Sequence, residues 1–222
     1  MSTDEVYGEG ETMDADPMKE EHVLEPTNPY AATKAGAEFL VKSYHRSFNL
    51  PCIITRGNNV YGPHQFPEKM IPKFVNQIMR GMKITMHGDG SNTRNFLYVK
   101  DVASAFDSIM HKGQVGHIYN IGGTNELSNL AVAKELIKCC GKAGKEDDII
   151  SFVPDRAFND LRYTIDSGEL HKLGWTEDTS WEDGLKETVE WYKNNSSRYE
   201  SSLDQALVAH PRFGLNTGNS GM

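Results

Sequence analysis

Short β-branched runs alternate with helical segments along most of this chain, and few architectures accommodate that order. Residues 51–55, Pro-Cys-Ile-Ile-Thr, are apolar on consecutive positions, the composition of a strand buried on both faces in a parallel sheet. Before them the pattern predicts a helix over 29–47. Pro29 suits its first position, where the missing N–H has no partner to lose, and good helix formers follow, with Gly36 the weak spot. Beyond residue 55 the pattern predicts helix over 68–81, strand over 83–86, strand over 95–99 and helix over 101–111 capped by Asp101. A strand over 117–121, a helix over 130–140 ending at Gly141 and a strand over 149–153 come next. A last helix opens with a capping-box pattern at Thr179-Ser180-Trp181-Glu182. This order implies an α/β protein with a mainly parallel sheet.

The chain's 222 residues allow one domain or two small ones, and its 38% hydrophobic content is enough for a sizeable core. Apolar residues of the first helix fall on more than one side, Ala37, Val41 and Tyr44 on one and Ala35 and Phe39 on another. That helix is expected to be buried twice, against the sheet and against a second copy of the chain. Residues 8–27 hold seven acidic side chains and two prolines and read as a solvated loop. From 196 onward Ser, Asn and Gly dominate, which predicts a poorly ordered tail over 196–222.

With 23 basic against 31 acidic residues the net charge is −8, unsuited to a general nucleic-acid or membrane-surface binder. No apolar run is long enough to span a bilayer, and Met1-Ser2-Thr3-Asp4-Glu5 lacks the basic and apolar regions of an export signal. The expected location is cytoplasmic. Cys52, Cys139 and Cys140 read as reduced structural thiols, the histidines show no ligand spacing, and no metal is expected. Trp175, Trp181 and Trp191 read as packing anchors. Gly8-Glu9-Gly10 and Gly88-Asp89-Gly90 both lack the third glycine of Gly-x-Gly-x-x-Gly, so no pyrophosphate cradle can be located.

Two clusters carry chemistry. Tyr30 and Lys34 are four apart on the first predicted helix and so share a face. A nearby ammonium favours phenolate over phenol, so the pair could take a proton from a sugar hydroxyl; the plainer reading is a core tyrosine beside a solvated lysine. Thr3-Asp4-Glu5 sets two carboxyls side by side. In a closed site such neighbours can split their pKa values and act as acid and base, whereas in solvent they are only surface charge.

Ser2-Thr3-Asp4-Glu5-Val6-Tyr7-Gly8, then Asn28-Pro29-Tyr30 with Lys34, then Arg56-Gly57-Asn58-Asn59-Val60-Tyr61-Gly62-Pro63 and Phe66-Pro67-Glu68-Lys69, resemble the extended short-chain dehydrogenase/reductase family. More narrowly they resemble the nucleotide-sugar 4,6-dehydratases, and most of all the dehydratase portion of plant-type UDP-rhamnose synthases, including the late Ala206-Leu207-Val208-Ala209-His210-Pro211-Arg212. The resemblance implies NAD as cofactor and UDP-glucose or dTDP-glucose as substrate. Tyr30 would remove the 4-hydroxyl proton, with Lys34 lowering its pKa and holding the nicotinamide ribose. Glu5 would take the C5 proton, Asp4 would protonate the departing 6-hydroxyl, and Thr3 would bond the 4-oxygen. Asn58 and Val60 would face the cofactor. Asn59, Glu68, Lys69, Thr85, His87, Arg94, Asn129, Asp155, Arg156, Asn159 and Tyr163 would contact the nucleotide sugar, the arginines as diphosphate donors.

The same resemblance implies a C-terminal part of a Rossmann-like doubly wound sheet plus a small α/β substrate-binding domain. Residues 1–62 would belong to the NAD-binding domain, and 63–195 mostly to substrate binding with elements returning to the Rossmann core. Family members carry a Rossmann half ahead of the Ser-Thr-Asp-Glu stretch, which implies that a complementary N-terminal half completes the cofactor site. A homodimer and a downstream epimerase/reductase are the other implied partners. Two readings remain open: a working dehydratase, or a non-catalytic remnant that binds nucleotide sugar or pairs with a full-length relative. A family epimerase is disfavoured, because adjacent Asp4 and Glu5 match the elimination pair.

Overall fold

The computed structural model describes residues 1–8, 16–154 and 164–207. Its first sheet is three parallel strands in the order β1 (Ser2–Thr3), β2 (Ile54–Gly57), β6 (Ile118–Ile121). The second holds β3 (Asn59–Tyr61) parallel to β5 (Thr93–Tyr98), with β7 (Asn125–Ser128) antiparallel on the far side of β5. The third is the parallel pair β4 (Ile84–His87) and β8 (Ile150–Val153). Helices connect the strands: α1 (Pro29–Phe48), α2 (Met70–Met79), α3 (Val99–Lys112), α4 (Asn129–Cys139), the short α5 (Glu146–Ile149) and α6 (Gly168–Lys172), α7 (Trp181–Asn194) and α8 (Glu200–Leu207). The expected α/β architecture with mainly parallel strands is what forms.

One core cluster lies between the second and third sheets and α2, α4 and α7, around Tyr61, Phe74, Ile78, Phe96, Leu136 and Val189. Another packs α3 on β6 around Leu97, Val102, Tyr119 and Trp175. A small third cluster of Val6, Tyr7, Ala35 and Ile165, with Met18 and Leu24, seats α1 beside the first sheet. Among the described residues no helix is long and apolar enough to cross a membrane.

Several expectations need correction. The strand predicted over 51–55 pairs only from Ile54 and runs on through Thr55, Arg56 and Gly57, because Arg56 has buried partners that let a cation sit in a strand. Asp101 does not cap α3. It lies inside the first turn, and its carboxylate accepts the backbone N–H groups of Asp178 and Thr179 at 3.2 and 3.3 Å, tying down the chain ahead of α7. The described part of the supposed solvated loop is held in place. Met18 bridges Ile165, the Glu20 carboxylate accepts Asn120 N–H at 2.8 Å, and Leu24 packs with the third cluster. The predicted tail is partly helical: in α8, Leu203, Ala206 and Leu207 are buried, and Gln77 of α2 donates to the Leu207 carbonyl. The three apolar positions of α8 recur at helical spacing, which composition alone conceals. Within the chain α1 is buried on one face only, through Ala31, Ala35 and Glu38, while Ala37, Phe39 and Tyr44 are exposed.

Candidate active site

Register explains why the reactive residues meet. Thr3 pairs with Gly57 and Gly57 with Ile121, so these three form one row across the first sheet. The next residue of each strand, Asp4, Asn58 and Gly122, lies just past the carboxyl ends. In open α/β sheets that edge is where ligands bind.

After Thr3 the chain enters a 3-10 turn, Asp4–Tyr7, whose N-terminal N–H groups need acceptors; the Thr3 hydroxyl receives the Glu5 N–H at 3.4 Å. The turn closes at Gly8, where φ is +82° and a Cβ would come within 2.3 Å of the Glu25 carbonyl oxygen, so only glycine fits. Asp4 is 4% exposed. Its Oδ1 accepts the Thr3 hydroxyl at 3.0 Å and its Oδ2 accepts Asn58 Nδ2 at 2.6 Å. Burial pushes its carboxyl up to about 6; the bonds from Asn58 and Thr3 pull down against it, and the Glu5 charge adds to the rise. Two adjacent carboxyls thus differ in environment. Glu5 is only half-buried, and its Oε2 accepts Asn28 Nδ2 at 2.9 Å.

Asn28 also opens the helix that bears the phenol. Its Oδ1 accepts Ala31 N–H at 2.9 Å, so one amide both caps α1 and holds Glu5. Tyr30, in the first turn, is 53% exposed. Burial, then the negative charges of Glu5 and Asp4, push its hydroxyl up, with the Thr3 hydroxyl pulling the other way. The expected lowering by Lys34 is absent from this balance. Lys34 Nζ lies 6.0 Å from the Tyr30 ring centroid and donates to the Met1 carbonyl at 3.4 Å.

Behind this edge runs a buried network that the sequence did not announce. Arg56, 1% exposed, donates through Nε and Nη2 to the Glu38 carboxylate, at 2.6 Å for the shortest bond, and through Nη1 to the Tyr7 hydroxyl at 2.7 Å and the Glu20 carbonyl at 3.1 Å. The Tyr7 hydroxyl donates to Asn120 Oδ1 at 2.8 Å, and Asn120 Nδ2 donates to the Met18 and Asp166 carbonyls, both at 3.0 Å. The one available signal was Glu38, a carboxylate on the helical face shared by Ala31 and Ala35.

The other expected residues are spread over the second and third sheets and their helices. Asn59 is exposed at the start of β3, and Val60, half-buried, packs against the Leu97 cluster while its carbonyl accepts Gln65 Nε2 at 2.7 Å. Glu68 and Lys69 are exposed, ion-paired at 3.3 Å and placed just before α2. Thr85 and His87 alternate with the buried Ile84 and Met86 along β4. Arg94 is half-buried on β5 with Nη1 on the Thr93 carbonyl at 2.7 Å, and Asn129 begins α4, its N–H on the Asn92 carbonyl at 3.1 Å. Asp155, Arg156, Asn159 and Tyr163 lie outside the described residues. Contact therefore joins Thr3, Asp4, Glu5 and Asn58 directly, and Tyr30 through Thr3 and Asn28.

A parallel sheet with a Tyr-x-x-x-Lys helix beside its carboxyl edge is the arrangement that the resemblance to the extended short-chain dehydrogenase/reductases implies. Residues 1–188 match the family described as GDP-mannose 4,6 dehydratase, and the chain belongs to that family. It is 52% identical over 218 residues to the trifunctional UDP-glucose 4,6-dehydratase/UDP-4-keto-6-deoxy-D-glucose 3,5-epimerase/UDP-4-keto-L-rhamnose-reductase RHM2 of Arabidopsis thaliana, covering 98% of this chain and 32% of that protein. It is 44% identical over 214 residues to the dTDP-D-glucose 4,6-dehydratase of Homo sapiens, covering 95% and 60%. Among solved structures it matches the Bacillus anthracis dTDP-glucose 4,6-dehydratase in complex with NAD, with a TM-score of 0.82 at 40% identity, over 90% of this chain and 62% of that one. The chain thus spans about a third of the plant relative and three fifths of the human one.

Proposed function

We propose that this chain carries the acid–base machinery of a nucleotide-sugar 4,6-dehydratase, acting on UDP-glucose or dTDP-glucose in the cytoplasm as a step toward rhamnose. The observation that carries the reading is the pair of adjacent carboxyls in unlike surroundings: Asp4 sealed in and pushed up to about 6, Glu5 open and anchored by Asn28. An elimination needs an acid and a base at once, and this pair supplies both. Glu5 takes the C5 proton once C4 is a ketone; Asp4 delivers its proton to the departing 6-oxygen. Tyr30 takes the 4-hydroxyl proton, and Thr3 sits beside both Asp4 and Tyr30 to orient the 4-oxygen. Burial and the neighbouring carboxylates push the Tyr30 hydroxyl up, and the Lys34 ammonium beside its ring is the positive charge that favours the phenolate.

The relatives make NAD the cofactor to propose. Tyr30 and Lys34 fit its ribose end, since both stand at the open start of α1 with donors turned to the same side. When bound, NAD supplies reversible hydride storage, so that the sugar leaves with the cofactor regenerated. Residues 1–62 serve chiefly this chemistry, and 63–195 mostly the nucleotide sugar, with Asn59, Glu68, Lys69, Thr85, His87, Arg94 and Asn129 as contacts on the described surface. Val60 would face NAD, and Asp155, Arg156, Asn159 and Tyr163 the substrate. A homodimer through the exposed face of α1 completes the assembly. An epimerase/reductase of the kind named in the plant relative would consume the product.

Mass spectrometry tests this. The purified chain, with NAD and either sugar nucleotide, alone or with the Rossmann half of a dehydratase relative added, should convert substrate to a species one water lighter. Tyr30→Phe should cut that conversion by at least ~100-fold. No water loss in either arrangement would reject the dehydratase reading in favour of a binding remnant.

A further inference from the structure

Asn58 is 7% exposed, and both ends of its amide are engaged. Its Oδ1 accepts the Gly123 backbone N–H at 3.2 Å, and its Nδ2 donates to Asp4 Oδ2 at 2.6 Å. A backbone N–H can only donate, so the end facing Gly123 must be the oxygen and the end facing Asp4 must be the nitrogen. The amide cannot flip without losing both bonds. On the other side of the carboxyl, the Thr3 hydroxyl donates to Oδ1 at 3.0 Å. Each carboxyl oxygen therefore already accepts one protein donor, and a proton on Asp4 is confined to the lone pairs that Asn58 and Thr3 leave free.

We infer that Asn58 is a positioning residue for the elimination: it locks the Asp4 carboxyl in one orientation and keeps its transferable proton off the side that faces β2. The inference rests on reading Asp4 as the acid. It also gives Asn58 work other than the cofactor contact that sequence resemblance implies. Asn58 has a second effect, on the acid's strength, since its donated bond stabilises the carboxylate against the burial that favours the neutral form.

The test compares Asn58→Ala, which removes the donor, with Asn58→Ser, whose hydroxyl can still donate, in the full chain. Carboxyl ¹³C NMR of aspartate-labelled protein, with the Asp4 resonance assigned through Asp4→Asn, should show the Asp4 midpoint moving to higher pH in Asn58→Ala and less so in Asn58→Ser. In the turnover assay, the alkaline limb of kcat should move up with it and kcat should fall roughly 10- to 100-fold, with KM for NAD within about twofold of the parent. An Asp4 midpoint that stays in place overturns the inference. So does a rise in KM for NAD with an unmoved pH profile, which would mark Asn58 as a cofactor ligand. A parent protein that turns over no sugar nucleotide counts against the dehydratase reading instead, and the NMR titration then decides the role of Asn58 without any reaction.

Discussion

Asp4 is an ordinary carboxylic acid in the unfolded chain and a reluctant one in the folded protein. Its value rises from 3.8 to about 6 because burial costs the charged form more than two hydrogen bonds return. The native state therefore binds a proton more tightly than the unfolded state, and its contribution to stability is greatest below pH 4, falls as pH climbs through the interval to about 6, and is flat above that. Two pKa units correspond to about 3 kcal/mol. Asp4→Asn removes this titration, so the variant should gain on the parent by up to about that much between pH 4 and pH 7. Urea denaturation at a series of pH values reads the difference, and a difference that is constant across the interval would contradict the assignment. Sequence made the pair visible as two neighbouring carboxyls. It could not say which one is sealed off, because that depends on Asn58 and Gly123, brought in by pairing with β2 and β6.

At the level of elements, α1 is fastened to the first sheet by a buried charge pair in addition to the small apolar cluster around Ala35. Its inward face offers two alanines and a glutamate, and the glutamate meets Arg56 of β2 with both partners almost fully buried. Removing one member of such a pair strands the other, at a cost of about 3–5 kcal/mol. Glu38→Ala should lose stability on that scale. Lys42→Ala should change it by less than about 1 kcal/mol, since the Lys42 side chain is only partly buried and 4.0 Å from the same carboxylate. Equal effects of the two substitutions in urea unfolding would refute this account. Helix existence was legible here because Pro29 and the good helix formers speak locally. The strand at β2 was started three residues too early and ended two too soon, since a buried arginine looks like a strand end until its partner, eighteen residues earlier, is known. The short strands β1, β3 and β7 escaped because they are too brief for periodicity to register and long-range partners hold them, whereas the helical spacing in α8 was masked by the polar composition around it.

For the whole molecule, the outer face of α1 is the surface to explain. Phe39, Leu40, Tyr44 and Phe48 are each more than half exposed, and the Tyr44 and Phe48 ring centroids lie 5.5 Å apart on the helix surface. Aromatics grouped along one helix face are unusual in a chain that works alone. The proposed homodimer buries them. Light scattering should then give twice the chain mass for the parent and the single mass for Phe39→Glu with Leu40→Glu; a parent that is monomeric at high concentration would rule the dimer out.

The peptide units that grip the carboxyl edge just past β6 carry no side chains. Gly122 and Gly123 are closed in by their neighbours: a Cβ on the first would lie 2.9 Å from Asn58 Oδ1, and on the second 2.6 Å from the Phe96 carbonyl oxygen. Gly123 gives its N–H to Asn58 and takes a bond from Asn95 Nδ2 of β5 on its carbonyl at 3.2 Å, so residues of two sheets hold opposite ends of one residue's main chain. Heredity has little purchase on a contact built this way. Any side chain at 123 would run into the Phe96 backbone and one at 122 into the Asn58, Ile165 and Ser167 side chains, so the Asp4 environment is left to vary through the side chains around it, Asn58, Thr3 and Glu5.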